Sequence, residues 1–412
     1  MDVLHERCAG IDISKADVKV TIRVPGTGKR RRKETRTFTT MTRDLLAMRD
    51  WLLSEGVTLV GMEATGIYWK PVFYLLEHDL ECWLLNARHM KAVPGRKTDV
   101  KDAEWIAELV EHGLVRPSFV PPEPIRQLRD LTRYRTEVVR ERTREAQRLE
   151  KLLEDAGIKL SSVVSDILGV SGRAMLEALI RGERDPQVLA EMARGSMRGK
   201  RSVLTEALTG RFSDHHAFLA RTMLDRIDTC TATEARLTER IEQHVAPFRR
   251  QLELLATIPG VSPRTAPVIL AETGADMERF GSAAHLASWA GVCPGNHESA
   301  GRQSTGRTRH GNPWLKAVLG QTAVSAARAK DTYLAARYRR IAARRGKKRA
   351  LVAVEHSVLI AIWHMLTHEV EYADLGGQYF LERTGRARQT RRLVSQLNQL
   401  GYQVTLQTVE AA

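Results

Sequence analysis

Asp12 is an acid in the middle of an otherwise apolar segment. Strand alternation turns Ile11 and Ile13 to one face and Asp12 to the other. An ionised carboxylate there is costly unless a cation compensates it, and carboxylate oxygens are ligands that divalent metals prefer. Glu63 ends the apolar run 59–62, so we expect it at the carboxyl end of a neighbouring strand, where open α/β sheets bind their ligands. Both acids are therefore candidate metal ligands.

Asp99 and Asp102 follow Thr98, a candidate helix N-cap, and their spacing puts both on one face of the first helical turn. Acidic residues are favoured at helix N-termini without any metal, so the pair alone leaves a structural role open. Together with Asp12 and Glu63, however, it completes four carboxylates from two strands and a helix. Such a set suits a site for Mg²⁺ or Mn²⁺ that serves phosphodiester cleavage or transfer.

A second group of reactive residues lies in the glycine-rich, basic segment 291–314, which we expect to be a mobile or ligand-ordered loop. Ser299 and Ser304 could each attack phosphorus if a base or metal removes the hydroxyl proton. Spacing does not choose between them, and such a loop is also compatible with plain flexibility. Residues 301–350 contain fourteen Lys or Arg and the single acid Asp331, which predicts phosphate binding.

The whole chain is basic, with 64 Lys and Arg against 49 Asp and Glu, a net charge of +15 and a pI near 9.9. This balance favours a polyanionic partner, nucleic acid before an anionic membrane surface. No run of eighteen apolar residues predicts a membrane span, and the start of the chain does not read as a signal peptide, so we expect a cytoplasmic protein. Four cysteines without C-x-x-C spacing indicate neither a disulfide framework nor a zinc site.

The first ~115 residues alternate strand and helix patterns in the order β-β-β-α-β-α-β-α, which fits an RNase H-like fold. Prolines between 117 and 124 end this domain. The remainder reads as helical. Residues 125–156 predict one long charged helix, either a coiled-coil arm pairing with 215–245 or a solvated bridging helix. Residues 252–270 predict two helices around Pro-Gly-Val-Ser-Pro, either a helix-hairpin-helix that contacts a DNA backbone or a plain helical hairpin.

The tract Lys29, Arg30, Arg31, Arg32 and Lys33 lies between two predicted strands and reads as a hairpin tip. Five adjacent cations repel one another unless a polyanion is near, so nucleic-acid contact is our interpretation, with a solvated loop as the alternative. The same interpretation extends to the basic residues of the carboxyl-terminal part: Arg302, Arg307, Arg309, Arg344, Arg345, Lys347, Lys348 and Arg349.

Several segments together resemble the insertion-sequence one-ten family, the DEDD transposases, known as bridge-RNA-guided recombinases. They are GIDISK, GMEATGIYW and KTDVKDAEWIAEL in the first 120 residues, then IPGVSPRTA and GVCPGNHESAGRQSTGRTRHGN further on. The resemblance implies that Asp12, Glu63, Asp99 and Asp102 are the metal ligands of a RuvC-like domain. It implies that Ser299 is the nucleophile of a transposase domain, which forms a covalent phosphoserine with DNA.

The resemblance further implies a homotetramer that acts on donor and target DNA under a guide RNA. The metal site of one protomer and the serine of another would complete each active site. We therefore expect an α/β plus all-α protein with four parts: a RuvC-like domain at 1–117, a helical linker and coiled coil at 118–247, a transposase domain at 248–370 and a tail at 371–412. A RuvC-like endonuclease using water and a non-enzymatic architectural protein are the alternatives.

Overall fold

A computed structural model describes residues 2–27, 30–64, 66–91, 93, 102–295, 297–299, 301–304, 306–384 and 386–407. Residues 88, 91, 297–299, 302–304, 384 and 386–389 are described by their backbone alone. The chain forms two compact units, Met1–Pro121 and Pro122–Ala412, and each is treated by itself. The four cysteines are free thiols.

The first unit is a five-stranded sheet with helices on both faces. Its elements are β1 (Cys8–Ile13), β2 (Asp17–Pro25), β3 (Arg31–Thr39), α1 (Thr42–Ser54), β4 (Leu59–Glu63), α2 (Trp69–Leu76), β5 (Glu81–Leu85), α3 (Ala87–Lys91) and α4 (Asp102–Glu111). The strand order is β3-β2-β1-β4-β5. The first three strands are antiparallel, whereas β4 is parallel to β1 and β5 to β4. The predicted element order is thus confirmed, and the RNase H-like assignment stays a prediction that this order supports.

Each face of the sheet is covered by different helices because neighbouring strand residues point to opposite sides. Ile11 and Ile13 of β1 enter a core that α1 and α2 complete. Cys8 of β1 belongs to a second core, together with Trp105 and Ile106 of α4. The alternation predicted around Asp12 is therefore present, and the face to which Asp12 belongs is the one that α4 covers.

Two glycines let α4 lie directly on the sheet. Gly10 of β1 pairs in register with Gly61 of β4. A Cβ atom added at Gly10 would stand 2.2 Å from the backbone nitrogen of Ala107 and 2.3 Å from the carbonyl oxygen of Ala103, and one at Gly61 would stand 2.5 Å from a methyl group of Val110. No side chain fits at Gly10 unless the helix moves, so glycine sets the distance between α4 and the sheet.

The second unit is mostly helical. Its elements are α5 (Glu123–Asp155), α6 (Leu160–Val163), α7 (Val170–Ile180), α8 (Pro186–Glu191), α9 (Arg201–Ala207), α10 (Asp214–His244), α11 (Arg249–Ala256), α12 (Ala266–Thr273), α13 (Ala283–Trp289), β6 (His297–Ser299), β7 (Arg302–Ser304), α14 (Pro313–Arg328), α15 (Tyr333–Arg345), α16 (Lys347–His368), α17 (Tyr379–Thr384) and α18 (Arg386–Gln399). A mixed α/β first part followed by a mostly helical remainder confirms the predicted fold class at this level.

The two long helices α5 and α10 pack along each other, as the charged sequence patterns predicted. The end of α5 does more than pair, because Leu149 and Leu153 enter a core that α7 to α10 also build. Nearer the N-terminus of α5, its buried residues include polar ones, among them Arg135 and Glu145. A coiled-coil description therefore stays a prediction, whereas contact between α5 and α10 is a property of the fold.

Helix α16 is long and apolar enough, by length and composition, to cross a membrane. Its most apolar window is 44% buried within the unit, and Val354, Val358, Leu359 and Ile362 are fully buried. Helices α11, α13, α14 and α15 all pack against it. Because core helices meet the same criteria, we assign α16 to the core of the second unit.

Replacing Gly10 by Ala should destabilise the protein, because the new methyl group meets helix backbone that cannot rotate away. We expect Gly10→Ala to lower the free energy of unfolding by about 1–3 kcal/mol or more, the usual cost of overpacking, in urea unfolding of the full chain. Gly199→Ala is the control, since a Cβ at Gly199 meets nothing within 4 Å. Equal unfolding curves for the two variants would contradict this account of the helix–sheet contact.

Candidate active site

The strand register brings Asp12 and Glu63 to the same place in the first unit. Gly10 pairs with Gly61 and Ile11 with Met62, so the next position on each parallel strand carries Asp12 and Glu63. Both acids stand two residues beyond a paired glycine and therefore share the face that α4 covers. Two carboxylates thus occupy adjacent positions near the carboxyl ends of neighbouring parallel strands.

Asp102, the first residue of α4, contributes a third carboxylate to this region. Burial, followed by the negative charge of Asp102, raises the pKa of Asp12 above its usual value. Lys19, which lies opposite Asp12 on β2, acts in the other direction. A cation bound near both carboxylates would offset this repulsion. The helix that Gly10 admits is therefore also the element that carries an acid toward Asp12.

The fourth predicted ligand, Asp99, lies outside the described residues. Within the part of the chain that the structure describes, no group of three or more His, Cys, Asp or Glu side chains is arranged to hold a metal ion. Asp12, Glu63 and Asp102 therefore share one region of the first unit, but their side chains are not arranged as a complete set of metal ligands. The donor chemistry fits a hard divalent cation, since all of these ligands are carboxylates.

The C-terminal end of α4 is held by a buried ion cluster that was not predicted from the sequence. Glu111 is 1% exposed and binds Arg23 of β2 at 2.6 Å and Arg31 of β3 at 2.7 Å. Burial opposes ionisation of Glu111, but the hydrogen bonds and charges of Arg23 and Arg31 outweigh it and lower the pKa. The cluster therefore fixes α4 to the two antiparallel strands at the end opposite Asp102.

The basic tract at 29–33 differs from the predicted hairpin tip. Arg31, Arg32 and Lys33 lie within β3, whereas the backbone turn closes between Gly26 and Arg30. Arg31 binds buried Glu111, Arg32 binds Glu34 and Glu55, and Lys33 binds Glu104 at 3.0 Å. Strand pairing extends into the basic tract because acids on β3 and α4, and Glu55 just after α1, neutralise its cations. Arg30 is exposed, and Lys29 lies outside the described residues.

The two candidate serines lie in a short β-hairpin in the second unit rather than in an irregular loop. Ser299 ends β6 and pairs with Arg302, so it stands beside the turn. Ser304 ends β7 and pairs with His297, so it stands at the open end of the hairpin. Arg307 and Arg309 are exposed on the returning leg. The backbone thus gives the two serines different surroundings, a distinction that spacing alone could not make.

The base of this hairpin is closed by contact between backbones. A Cβ at Gly291 would stand 2.7 Å from Cα of Gly311, and one at Gly311 would stand 2.2 Å from the carbonyl oxygen of Ala290. Both residues have positive φ angles, 76° and 56°. Glycine is needed at both because a side chain would push the legs apart. The two ends of the segment predicted to be a loop are therefore held together between α13 and α14.

A buried carboxylate anchors the returning leg. Glu272 of α12 is fully buried and binds Arg133 of α5 through two hydrogen bonds of 2.7 and 2.8 Å. Its Oε2 atom also accepts a hydrogen bond of 2.7 Å from the side-chain amide of Asn312. Asn312 in turn caps α14 by accepting from the backbone N–H groups of Trp314 and Leu315. One acid therefore links α5, α12 and the start of α14.

The Pro-Gly-Val-Ser-Pro turn between α11 and α12 packs inward. A Cβ at Gly260 would stand 2.5 Å from the carbonyl oxygen of Thr322 on α14, and Val261 is 8% exposed. The N–H groups of Val261 and Ser262 already donate to Ile258 and to the hydroxyl of Thr265. The two helices and their turn are as predicted, and contact with a DNA backbone stays a prediction.

Two family models match this chain, one at each of these regions. A DEDD transposase model for IS110 elements matches residues 9–158, and a model for the transposase IS116/IS110/IS902 family matches residues 252–339. The chain belongs to the IS110 family of transposases. Membership implies an enzyme that cuts and rejoins DNA, with DNA as its substrate.

Individual relatives of this IS110-family chain agree with the models. It is 27% identical over 334 residues to a probable family 20 transposase of Pseudomonas aeruginosa, an alignment that covers 79% of this chain and 88% of the relative. It is 26% identical over 332 residues to the transposase for insertion sequence element IS1111A of Coxiella burnetii, covering 77% and 80%. Over 52 residues, 13% of this chain and 16% of the relative, it is 46% identical to a pilin gene-inverting protein of Moraxella bovis.

The matched segments of the transposase contain ion clusters that sequence patterns did not single out. Glu111 lies in the first segment, and Glu272 in the second, within the apolar run 266–273. An acid inside an apolar helix was the available signal, because such a residue needs a buried cation or amide as partner. Its partners, Arg133 and Asn312, are distant in sequence and could not be identified from local pattern.

Removing the Glu272 carboxylate should loosen the second unit, because Arg133 and Arg129 of α5, whose Nε atoms lie 2.7 and 3.5 Å from its oxygens, would lose their buried counter-ion. We expect Glu272→Ala to lower the free energy of unfolding by about 3–5 kcal/mol, the cost of breaking a buried ion pair. Glu137→Ala is the control, since the pair between Glu137 and Arg140 is largely exposed and should contribute little. Urea unfolding of both variants checks this, and a Glu272→Ala curve that matches the control would refute the anchoring role.

Proposed function

We propose that this IS110-family transposase is a DNA recombinase in which Asp12, Glu63, Asp99 and Asp102 hold divalent metal and Ser299 is the nucleophile. The observation that carries the proposal is the register of β1 and β4. It sets Asp12 and Glu63 side by side at the ends of two parallel strands, under the helix that begins with Asp102. Carboxylates from separate elements that converge at one point suit phosphoryl transfer.

The serine step would exchange one phosphoester for another. The Oγ atom of Ser299 would form a bond to phosphorus while the bond from phosphorus to a deoxyribose oxygen breaks. The serine hydroxyl proton would end on that leaving oxygen or on solvent. The phosphoserine keeps the energy of the broken phosphoester, so attack by a hydroxyl of another strand can reverse the step and rejoin DNA.

The carboxylates prepare this chemistry. When bound, a divalent metal would stabilise charge on the attacking and leaving oxygens. Asp12 and Glu63 would orient it from the sheet, and Asp102 and Asp99 from the helix and the segment before it. The exposed Arg307 and Arg309, with Arg302 of β7, would hold the phosphate oxygens near the hairpin. Ser304, at the open end of the hairpin, is the second candidate nucleophile.

Recombination is favoured over simple cleavage by the names of the relatives. The Moraxella bovis relative is named for inverting a pilin gene, and inversion requires that cut strands be rejoined. A serine that stays bonded to DNA supports rejoining, whereas cleavage by water releases the strand. The water mechanism of a RuvC-like endonuclease is therefore the second candidate function.

The proposal extends to partners. A folded guide RNA would select donor and target DNA by base pairing, while the protein holds phosphate backbones with its excess of cations. The net charge of +15 supports such a division of labour. A homotetramer would combine the metal site of one protomer with the serine of another, with Mg²⁺ or Mn²⁺ as cofactor, and DNA binding would place the protein at the nucleoid. The four domains 1–117, 118–247, 248–370 and 371–412 remain part of this proposal.

Covalent trapping tests the two sites in one experiment. Denaturing gels of the full chain with element-end DNA, guide RNA and Mg²⁺ should show a protein–DNA adduct. Ser299→Ala should remove it, and Asp12→Asn or Glu63→Gln should reduce it roughly a hundredfold or more, since about 3 kcal/mol of transition-state stabilisation is lost. Ser304→Ala and Asp50→Asn are the matched controls, because Asp50 is an exposed acid of α1, and both should retain the adduct.

Each alternative predicts a different gel. Cleaved DNA without any adduct in the native enzyme would support the water mechanism. Loss of the adduct in Ser304→Ala rather than in Ser299→Ala would move the nucleophile to Ser304. Binding without cleavage under all conditions would support an architectural protein, and full activity of Asp12→Asn would rule out the carboxylate site.

A further inference from the structure

A cavity lined by arginines lies between α15 and the helices α17 and α18 of the second unit. It has a volume of about 980 Å³ and adjoins a smaller cavity of about 250 Å³ that shares Arg340, Arg344 and Phe380 with it. The cations that line the two cavities are Arg337, Arg339, Arg340, Arg344, Arg345 and Arg392. Asp331 is the acid among the described lining residues.

The spacing of the arginines on α15 concentrates their charge on one side. Arg337, Arg340 and Arg344 are three, then four residues apart, so they share a helical face. Like charges at these spacings repel, and the fold alone gains nothing from them. In the described part of the chain, none of Arg339, Arg340, Arg344, Arg345 and Arg392 forms an ion pair with an acidic side chain, in contrast to the cations of β3. An anion from outside is what would offset this repulsion.

An aromatic residue positions one of these cations. Phe380 of α17 stacks on Tyr333 with the ring centroids 5.3 Å apart. The guanidinium carbon of Arg340 lies 4.7 Å from the centroid of the Phe380 ring. Because Phe380 packs against both groups, its role here is to orient Arg340. The cavity therefore offers ordered guanidinium groups and no free stacking platform for a base.

We propose that this arginine cavity binds the sugar-phosphate backbone of a nucleic-acid strand without reading its bases. The inference rests on the proposed function and deepens it by naming a place where the second unit holds its substrate. The guanidinium groups that line this cavity match phosphate oxygens through paired N–H donors. Neither Phe380 nor Tyr333 was singled out by the sequence pattern, and Arg337, Arg339, Arg340 and Arg392 join the basic residues named there.

Fluorescence anisotropy of the full chain tests the cavity. The probes are single-stranded RNA, single-stranded DNA and duplex DNA of one sequence, each titrated at several salt concentrations. We expect the double variant Arg340→Gln, Arg344→Gln to weaken binding of at least one probe about tenfold or more. The slope of log K against log salt should fall by about 1.4 for a single strand or about 1.8 for a duplex, the effect of two lost phosphate contacts.

The control is Arg236→Gln, Arg249→Gln, which removes the same charge from exposed positions on α10 and α11. An equal loss in this control would show that net charge alone matters and would overturn the proposal, as would unchanged binding in the cavity variant. Binding of labelled poly-glutamate to the native chain that the cavity variant loses, with binding of all three nucleic-acid probes unchanged, would assign the cavity to an acidic peptide instead. If the native chain bound none of the three probes, the proposed function itself would be refuted, together with this inference.

Discussion

The close approach of α4 to the sheet is the contact on which the candidate active site depends. Gly10 and Gly61 pair on adjacent parallel strands and leave no room for side chains beneath the helix. Asp12 and Glu63 follow each glycine by two residues and so lie at the rim of the same face. Tight packing beneath α4 thus fixes where its first residue, Asp102, stands. Packing and the gathering of charge are consequences of one register.

Without a cation, burial and mutual repulsion destabilise the ionised carboxylates of this arrangement. The pKa of Asp12 is raised by burial and by Asp102, while the opposite end of α4 is fastened by Glu111 between Arg23 and Arg31. The helix therefore has a neutralised end and an acidic end. Repulsion among carboxylates is tolerated at the acidic end because the ion cluster and the apolar contacts of Trp105 and Ile106 hold the helix down.

In the second unit, too, a buried ion cluster and close backbone contacts fix the elements around the candidate site residues. Glu272 pairs with Arg129 and Arg133 and accepts a hydrogen bond from Asn312. Asn312 in turn caps α14, the helix that follows the hairpin of Ser299 and Ser304. Gly291 and Gly311 close the base of that hairpin. A buried polar network whose hydrogen bonds are all satisfied makes its surroundings rigid and defines a single geometry. Ser299, the proposed nucleophile, would require a position defined in this way.

Local pattern was sufficient for the strands of the first unit and for the long helices. Alternation around Asp12 and the apolar run before Glu63 predicted their places, since both depend on periodicities of a few residues. The ion clusters at Glu111 and Glu272 were missed because their partners are dozens of residues away in sequence. The basic tract at 29–33 was assigned to a hairpin tip because its partner acids, Glu55 and Glu104, become neighbours only after folding. Charge in sequence predicts a polyanion only where the fold leaves it unpaired.

Metal binding is the most direct test of the account. Calorimetric titration of the full chain with Mn²⁺ should show binding that Asp12→Asn and Glu63→Gln each weaken by at least about tenfold, with Asp50→Asn unchanged. Equal Mn²⁺ affinity in the native chain, Asp12→Asn and Glu63→Gln would contradict the claim that the paired glycines and α4 assemble a carboxylate metal site.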